Sequence, residues 1–424
     1  MCDDVPQDQH RQEYIVPILD LNGLKVISPL GRGAKGVVFL VEEEQYGELW
    51  ALKVILRDLV EKKNNDVSDG SEYKRVCFER QVLGQFKHPL LPRLRGLLAT
   101  EKIVAYAIDF CSGRDLNQLR KQQSERMFSV EIIRFYAAEL VLALEHLHNL
   151  GIAYRDLKPE NILIQENGHI MLVDFDLSTK LLPKLPQTSP ISNSNNPKPH
   201  SSHKKRLSLF HGCCNSGISP DDSSERGLST APPELDTIEK SNSFVGTEEY
   251  VAPEIIQGYG HDFAVDWWSL GVVLYEMLYG VTPFKGANRK DTFFKILTKS
   301  PDLVGEATPL RDLIGKLLVK DPKSRIKVEE IKRHEFFEGI DWALILQMAR
   351  PPYIPPASYE FWEKEGKEGT MKIDVESFVQ RIFSGNEGEK EEKVVNQEDE
   401  TTETRVWVKG LNNHPPETDN FLVF

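Results

Sequence analysis

Tyr154-Arg155-Asp156-Leu157-Lys158-Pro159-Glu160-Asn161, followed a short distance on by Asp174-Phe175-Asp176, is the stretch on which the reading of this chain turns. Asp156 is a carboxylate able to accept or orient the proton of a hydroxyl. Lys158 adds a cation two positions on. Asn161 and Asp174 offer two oxygen ligands of the kind a hard divalent cation takes. These parts together meet the needs of phosphoryl transfer: a carboxylate beside the nucleophile, a cation beside the moving group, and two ligands for magnesium. An isolated Arg-Asp pair would mean little. The full run, with Asp-Phe behind it, is hard to reach by chance and is poorly explained as a surface turn with structural carboxylates.

Upstream, Leu24-Lys25-Val26-Ile27 and Val37-Val38-Phe39-Leu40-Val41 flank Gly31-Arg32-Gly33-Ala34-Lys35-Gly36, a pattern that predicts a hairpin. Gly31, Gly33 and Gly36 let backbone N–H groups approach a phosphate with no Cβ in the way. By itself such a triplet can be a plain turn. A dinucleotide site would place a helix after the last glycine, whereas here a strand follows. Trp50 to Ile55 reads as a third strand carrying Lys53. A lysine between apolar neighbours can simply face solvent from an edge strand. With the glycines upstream, Lys53 reads instead as a cation for nucleotide phosphates, held by Glu79, with Val38 and Ala51 beside the base. Glu72 and Glu101 compete with Glu79, which is preferred because Glu79-Arg80-Gln81-Val82-Leu83 opens onto a helix-like segment, Tyr73 to Phe86, that leads to His88-Pro89.

Downstream, Ser129 to Gly151 predicts a helix with Ser129 as N-cap, an apolar stripe through Ile133, Tyr136, Leu140 and Leu144, and Gly151 as terminator. Asn167-Gly168 between Ile162-Leu163-Ile164 and Ile170-Met171-Leu172-Val173 predicts a hairpin. Ala264 to Tyr279 predicts a second buried helix, in which Asp266 braces the Asp156 loop. Strands first and helices afterwards give an α+β protein, a small sheet-rich lobe on a larger helical one. In Ser243-Phe244-Val245-Gly246-Thr247-Glu248-Glu249-Tyr250-Val251-Ala252-Pro253-Glu254, Ser243 stands where an added phosphate could pair with Arg155; Ser241 is also near. Glu254 and Arg325 are expected to form a buried ion pair.

With 424 residues, 40% hydrophobic and 28% charged, the composition is that of a soluble globular protein. A net charge of −13 argues against nucleic acid as a partner. No apolar run is long enough to span a bilayer, and the start Met1-Cys2-Asp3-Asp4 resembles neither a secretory nor a myristoylation signal. The five cysteines lack a CxxC spacing, as expected of a reduced, intracellular chain. Residues 1–23 read as a loose leader, 183–242 as an unstructured insert, and Glu363 to Asp419 as a second disordered stretch. His203-Lys204-Lys205-Arg206 in the insert is a nuclear-import signal, an anionic-lipid patch, or plain solvated charge. Phe421-Leu422-Val423-Phe424 closes the chain as an anchor for a groove on a partner or on the small lobe.

These motifs, over residues 24–337, resemble the protein kinase superfamily. Tyr154 before Arg155-Asp156, the Gly246 to Glu254 run, and Arg350-Pro351-Pro352-Tyr353-Ile354-Pro355 are similar to AGC kinases. Asp174-Phe175-Asp176 with a long insert before Ser243 resembles the plant AGC VIII serine/threonine kinases. The resemblance implies a bilobal fold, ATP with Mg²⁺, and an acceptor Ser or Thr on a protein. It places Leu30 with the glycine loop at the nucleotide, the Asp109 carbonyl and Cys111 amide at the adenine with Ile108 behind them, and Asp115 at the ribose. It gives Glu160 and Glu276 to basic residues of the substrate. Residues 338–424 become a C-terminal tail whose Phe421 and Phe424 dock an upstream phosphoinositide-dependent kinase that modifies Ser243. A monomer in the cytoplasm, also nuclear or peripheral at the plasma membrane, completes the expectation. Asp176 departs from the usual glycine, where the backbone must pivot. Either the site is stiffer and active, or turnover is lowered, down to a scaffold that binds nucleotide without transfer. A membrane adaptor acting through the basic insert is the third reading.

Overall fold

Val37-Val38-Phe39-Leu40-Val41 is apolar at every position, the signature of a strand covered on both faces. The computed structural model, which describes residues 16–33, 35–61, 71–181, 240–348, 351–355 and 373–384, shows what covers it. Strands β1 (Leu24–Arg32), β2 (Gly36–Glu43), β3 (Leu49–Leu56), β4 (Leu94–Ala99) and β5 (Ile103–Asp109) form an antiparallel sheet in the order β1-β2-β3-β5-β4. Pro29 is tolerated because β1 is an edge strand, and the register slips on either side of it. Gly36 is required by proximity: a Cβ there would lie 2.1 Å from the Val54 carbonyl oxygen. Helices α1 (Arg57–Glu61) and α2 (Ser71–Leu83) connect β3 to β4.

Below the sheet lie α3 (Leu116–Lys121), α4 (Val130–Asn149), the short pairs β6 (Ile152–Ala153) with β9 (Thr179–Lys180) and β7 (Ile162–Ile164) with β8 (Ile170–Leu172), then α5 (Pro253–Gln257), α6 (Ala264–Tyr279), α7 (Arg289–Thr298), α8 (Pro309–Leu317) and α9 (Val328–Lys332). The Ser129 hydroxyl caps α4 by accepting from the Ile132 amide, and Gly151 follows its end at φ 75°. The β7–β8 hairpin turns at Gly168, φ 85°. Helix α6 is buried from Val265 through Met277, which accounts for its apolar composition on all sides. The arrangement is the expected α+β one, a small sheet with one main helix above a larger helical part.

Three expectations change. Residues 16–22 are not a loose leader: the Leu19 amide donates to the Leu97 carbonyl (2.7 Å), and Leu19 fills the space left by the missing side chain of Gly96. The insert ends earlier than residue 242, because Ser241 and His261 exchange backbone hydrogen bonds of 2.9 Å. Within the stretch expected to be disordered, Val375–Ser384 is a helix, α10. Its Val375, Phe378, Val379 and Ile382 follow helical spacing and bury against Val37, Phe39 and Val41 of β2 and Leu52 and Val54 of β3. Phe378 meets the edge of Phe39 with ring centroids 5.5 Å apart. Each of these side chains, fully buried, contributes about 1.5–3 kcal/mol. That outweighs the charged composition around them. The opposite face of β2, through Val38 and Leu40, packs with Leu30 and Ala51 and roofs the cleft described next. Residues 1–15, 182–239 and 385–424 lie outside the described residues, and with them His203–Arg206, Phe421 and Phe424.

Candidate active site

Strand β3 carries Lys53 to the back of the cleft, and α2 brings Glu79 to meet it. Lys53 Nζ donates to both Glu79 oxygens at 2.9 and 3.1 Å and to Asp174 Oδ1 at 3.3 Å. Of the three candidate glutamates, Glu79 is the partner. Burial works against the Lys53 charge, but Asp174 and Glu79 outweigh it and hold the ammonium pKa well above the usual lysine value. Glu79 also accepts from the Phe175 amide at 3.3 Å, which ties α2 to the Asp174 loop. Phe175 is fully buried between Phe86 and Tyr154, at ring-centroid distances of 4.7 and 5.3 Å.

The Asp156 loop is held from beneath. Asp266, fully buried in the first turn of α6, accepts from the Arg155 amide (2.7 Å), the Tyr154 amide (2.9 Å) and His148 Nε2 (2.8 Å). These bonds support Arg155 in the left-handed region at φ 70°, a conformation a non-glycine residue keeps only when its surroundings enforce it. In the facing loop Asp174 is also left-handed, at φ 58°, whereas Asp176 is not at positive φ. In this conformation an aspartate at 176 needs no left-handed backbone, because the unusual backbone is two residues earlier.

Asp156 Oδ1 accepts from the Thr247 hydroxyl (2.7 Å), and Oδ2 accepts from Lys158 Nζ (2.9 Å) and Asn161 Nδ2 (3.0 Å). Asn161 Nδ2 also donates to the Asp156 carbonyl at 2.9 Å, which leaves Asn161 Oδ1 buried with no hydrogen bond. An orphaned acceptor oxygen beside Asp174 suits a hard cation. Burial opposes ionisation of Asp174, but Lys53 and Lys158 prevail and hold its carboxyl below the usual aspartate value.

Leu30, Val38 and Ala51 line the cleft with Asp109, Cys111 and Val173. Its apolar walls suit a flat heterocycle, and the charged end at Lys53 and Asp174 suits phosphates. Asp109 accepts from Arg95 Nε (2.6 Å) and the Arg93 amide (2.9 Å) through its side chain. Asp115 caps α3 by accepting from the Gln118 amide at 2.8 Å, and burial pushes its carboxyl pKa up to about 6. It is not among the residues lining the cleft. Glu160 is half-buried and accepts from Asn117 Nδ2 (2.9 Å). Glu276 is buried and engaged by Arg120 Nη2 (2.7 Å) and the Tyr250 hydroxyl (2.5 Å). Ser243 is exposed, with Oγ 2.5 Å from Arg155 Nη1; Ser241 Oγ lies 3.0 Å from the same nitrogen. Glu254 and Arg325 form a two-pronged pair at 2.7 and 3.0 Å.

Sequence reasoning missed two participants. Thr247 was legible only as part of the Gly246 to Glu254 run, and its bond to Asp156 spans a separation of 91 residues. Lys35 was counted with the glycine loop, but its ammonium lies 3.4 Å from Asp176 Oδ2.

Known proteins share much of this sequence. The protein kinase domain family matches residues 24–195 and 227–337. Serine/threonine-protein kinase OXI1 of Arabidopsis thaliana is 59% identical over 418 residues, 96% of this chain and 97% of that protein. Serine/threonine-protein kinase UCN of Arabidopsis thaliana is 45% identical over 80% of this chain and 85% of its own length. Serine/threonine-protein kinase AGC1-5 from the same plant is 40% identical over 80% of this chain and 60% of its own length.

Proposed function

This chain belongs to the protein kinase family and phosphorylates serine or threonine in proteins, and from that premise we propose that its cleft transfers the γ-phosphoryl group of ATP under control of Ser243. Lys53, held by Glu79, orients the α- and β-phosphates, and the glycine loop with Leu30, Val38 and Ala51 covers the nucleotide. Asp109, Cys111 and Asp115 are assigned to the base and ribose. Asn161 Oδ1 and Asp174 hold Mg²⁺, which when bound offsets charge on the phosphates. Asp156 takes or orients the proton of the acceptor hydroxyl, and Lys158 faces the developing charge. Most of the rate gain comes from positioning and charge already in place. Glu160 favours substrates with basic residues near the acceptor. Glu276 does so only by exchanging its present bond to Arg120.

The observation that carries the regulatory part is the exposed Ser243 hydroxyl 2.5 Å from Arg155, the residue next to Asp156. Burial draws the Arg155 pKa down to about 10, still fully cationic at neutral pH, and Arg75 on α2 adds to the positive field there. A phosphate on Ser243 would carry close to two negative charges into that field and order the loop. The supplier proposed is a phosphoinositide-dependent kinase docked on Phe421 and Phe424, in a stress or growth pathway of the cytoplasm.

The test is [γ-³²P]ATP incorporation into a basic peptide, before and after treatment with such a kinase. Treated wild type should gain at least about ten-fold, within the range for charge stabilisation. Ser243→Ala should not gain, Asp156→Asn should stay at background, and Phe421→Ala/Phe424→Ala should be modified slowly. Full activity in Ser243→Ala overturns the switch, and equal modification of the double-phenylalanine variant overturns the docking. A thermal shift with ATP but no transfer by any form makes the chain a scaffold.

A further inference from the structure

Lys35 lies within the glycine loop, between Gly33 and Gly36, and its ammonium is 3.4 Å from Asp176 Oδ2, two residues beyond the cleft-lining Asp174. The two ends of this contact differ in stiffness. Asp176 sits in a turn closed by the Ser178 amide donating to the Phe175 carbonyl (3.0 Å) and by the Ser178 hydroxyl donating to the same oxygen (2.6 Å). That turn is rooted by the fully buried Phe175. Lys35 rides on a hairpin tip whose glycines give the backbone wide freedom, where the Gly33 amide donates to the Gly36 carbonyl (2.9 Å). Neither side chain is free in solvent: Lys35 is 18% exposed and Asp176 29%. A glycine at position 176 could make no such contact.

We propose that Asp176 is a positioning residue that latches the glycine loop over the nucleotide site through Lys35. The idea rests on the nucleotide site assigned above. With the loop drawn down before nucleotide arrives, less of the ordering cost falls on binding. Nucleotide can leave only when the pair opens, so the latch slows release of ADP. A partly exposed ion pair is weak, and the expected effects are about two- to five-fold.

The experiment uses the full-length, unphosphorylated chain with Asp176→Asn, Lys35→Gln, the double variant, and Asp176→Glu. Amide hydrogen exchange without nucleotide should rise about two- to five-fold across residues 31–38 in either single variant, with no further rise in the double. Dissociation of the fluorescent analogue mant-ADP should quicken by a similar factor, and Asp176→Glu, which keeps the carboxylate, should restore both. Unchanged loop exchange in the single variants, or effects that simply add in the double, overturns the latch. If loop exchange responds as expected but wild type binds no mant-ADP, the contact stands and the nucleotide site beneath it falls.

Discussion

Arg325 and Lys53 are both cations facing a glutamate, but they sit in their surroundings in opposite ways. Arg325, with 1% of its side chain exposed, directs Nε to the Val319 carbonyl (3.0 Å) and Nη1 to Glu254 (2.7 Å) and the Ala264 carbonyl (2.7 Å). Its Nη2 reaches Glu254 (3.0 Å) and the Lys320 carbonyl (3.4 Å). Lys53 keeps 21% of its side chain exposed, lines the cleft, and shares its ammonium between Glu79 and Asp174. A saturated buried pair has nothing left to offer a ligand and serves the fold. A partly exposed pair at the edge of a cleft can exchange one of its bonds for a phosphate and serves the reaction.

Changing one partner at each place separates those roles. Glu254→Gln keeps the shape and leaves the Arg325 charge buried without its anion, which should cost about 3–5 kcal/mol of stability. Urea unfolding would measure it; a change within error would mean that the carbonyls alone satisfy Arg325. Lys53→Arg keeps a cation beside Glu79 but changes its reach and geometry. It should lower kcat by roughly 10²–10³-fold while leaving the unfolding midpoint nearly unmoved. Should Lys53→Arg destabilise the fold as much as Glu254→Gln, the division between the two pairs is wrong.

The same division explains how much could be read without coordinates. Asp156, Lys158, Asn161 and Asp174 were legible because phosphoryl transfer needs those side chains on one short loop and hairpin, where spacing encodes geometry. The buried helices were legible from period and caps, as with Ser129 and Gly151 around α4. The narrower likeness, from the Gly31 to Val41 spelling with Phe421 to Phe424 at the end, points to the oxidative-signal-inducible branch, in keeping with OXI1 as a relative at 59% identity. Helix α10 was missed although two signals were present. Val375, Phe378, Val379 and Ile382 recur at helical spacing, and β2 is apolar on the face they cover. Charged composition hid a stripe of four residues. The Lys35–Asp176 contact was not legible, since nothing local joins residues 141 positions apart.

His261 tests a third kind of neighbour to a cation, one with no charge of its own. It is 2% exposed, and its Nε2 lies 3.2 Å from Arg155 Nη1. Burial first, and Arg155 second, bring its pKa from 6.5 down to about 4, against a weaker opposing pull from Asp266 and Asp262. The unfolded chain therefore takes up this proton near pH 6.5 while the folded chain refuses it until about pH 4, so stability is lost as pH falls through that window. One such group contributes at most about 1.4 kcal/mol per pH unit. His88, also lowered to about 4, adds a slope of the same sign, so His261→Gln should reduce the pH dependence between pH 6.5 and 4.5 without abolishing it. Urea unfolding of the unphosphorylated protein at those two pH values would check this, and equal slopes in wild type and variant would sink it. A phosphate on Ser243 would change the balance again. It would set a negative charge against Arg155 and let His261 protonate at higher pH, while the phosphate, itself titrating near pH ~6, would add a slope of its own.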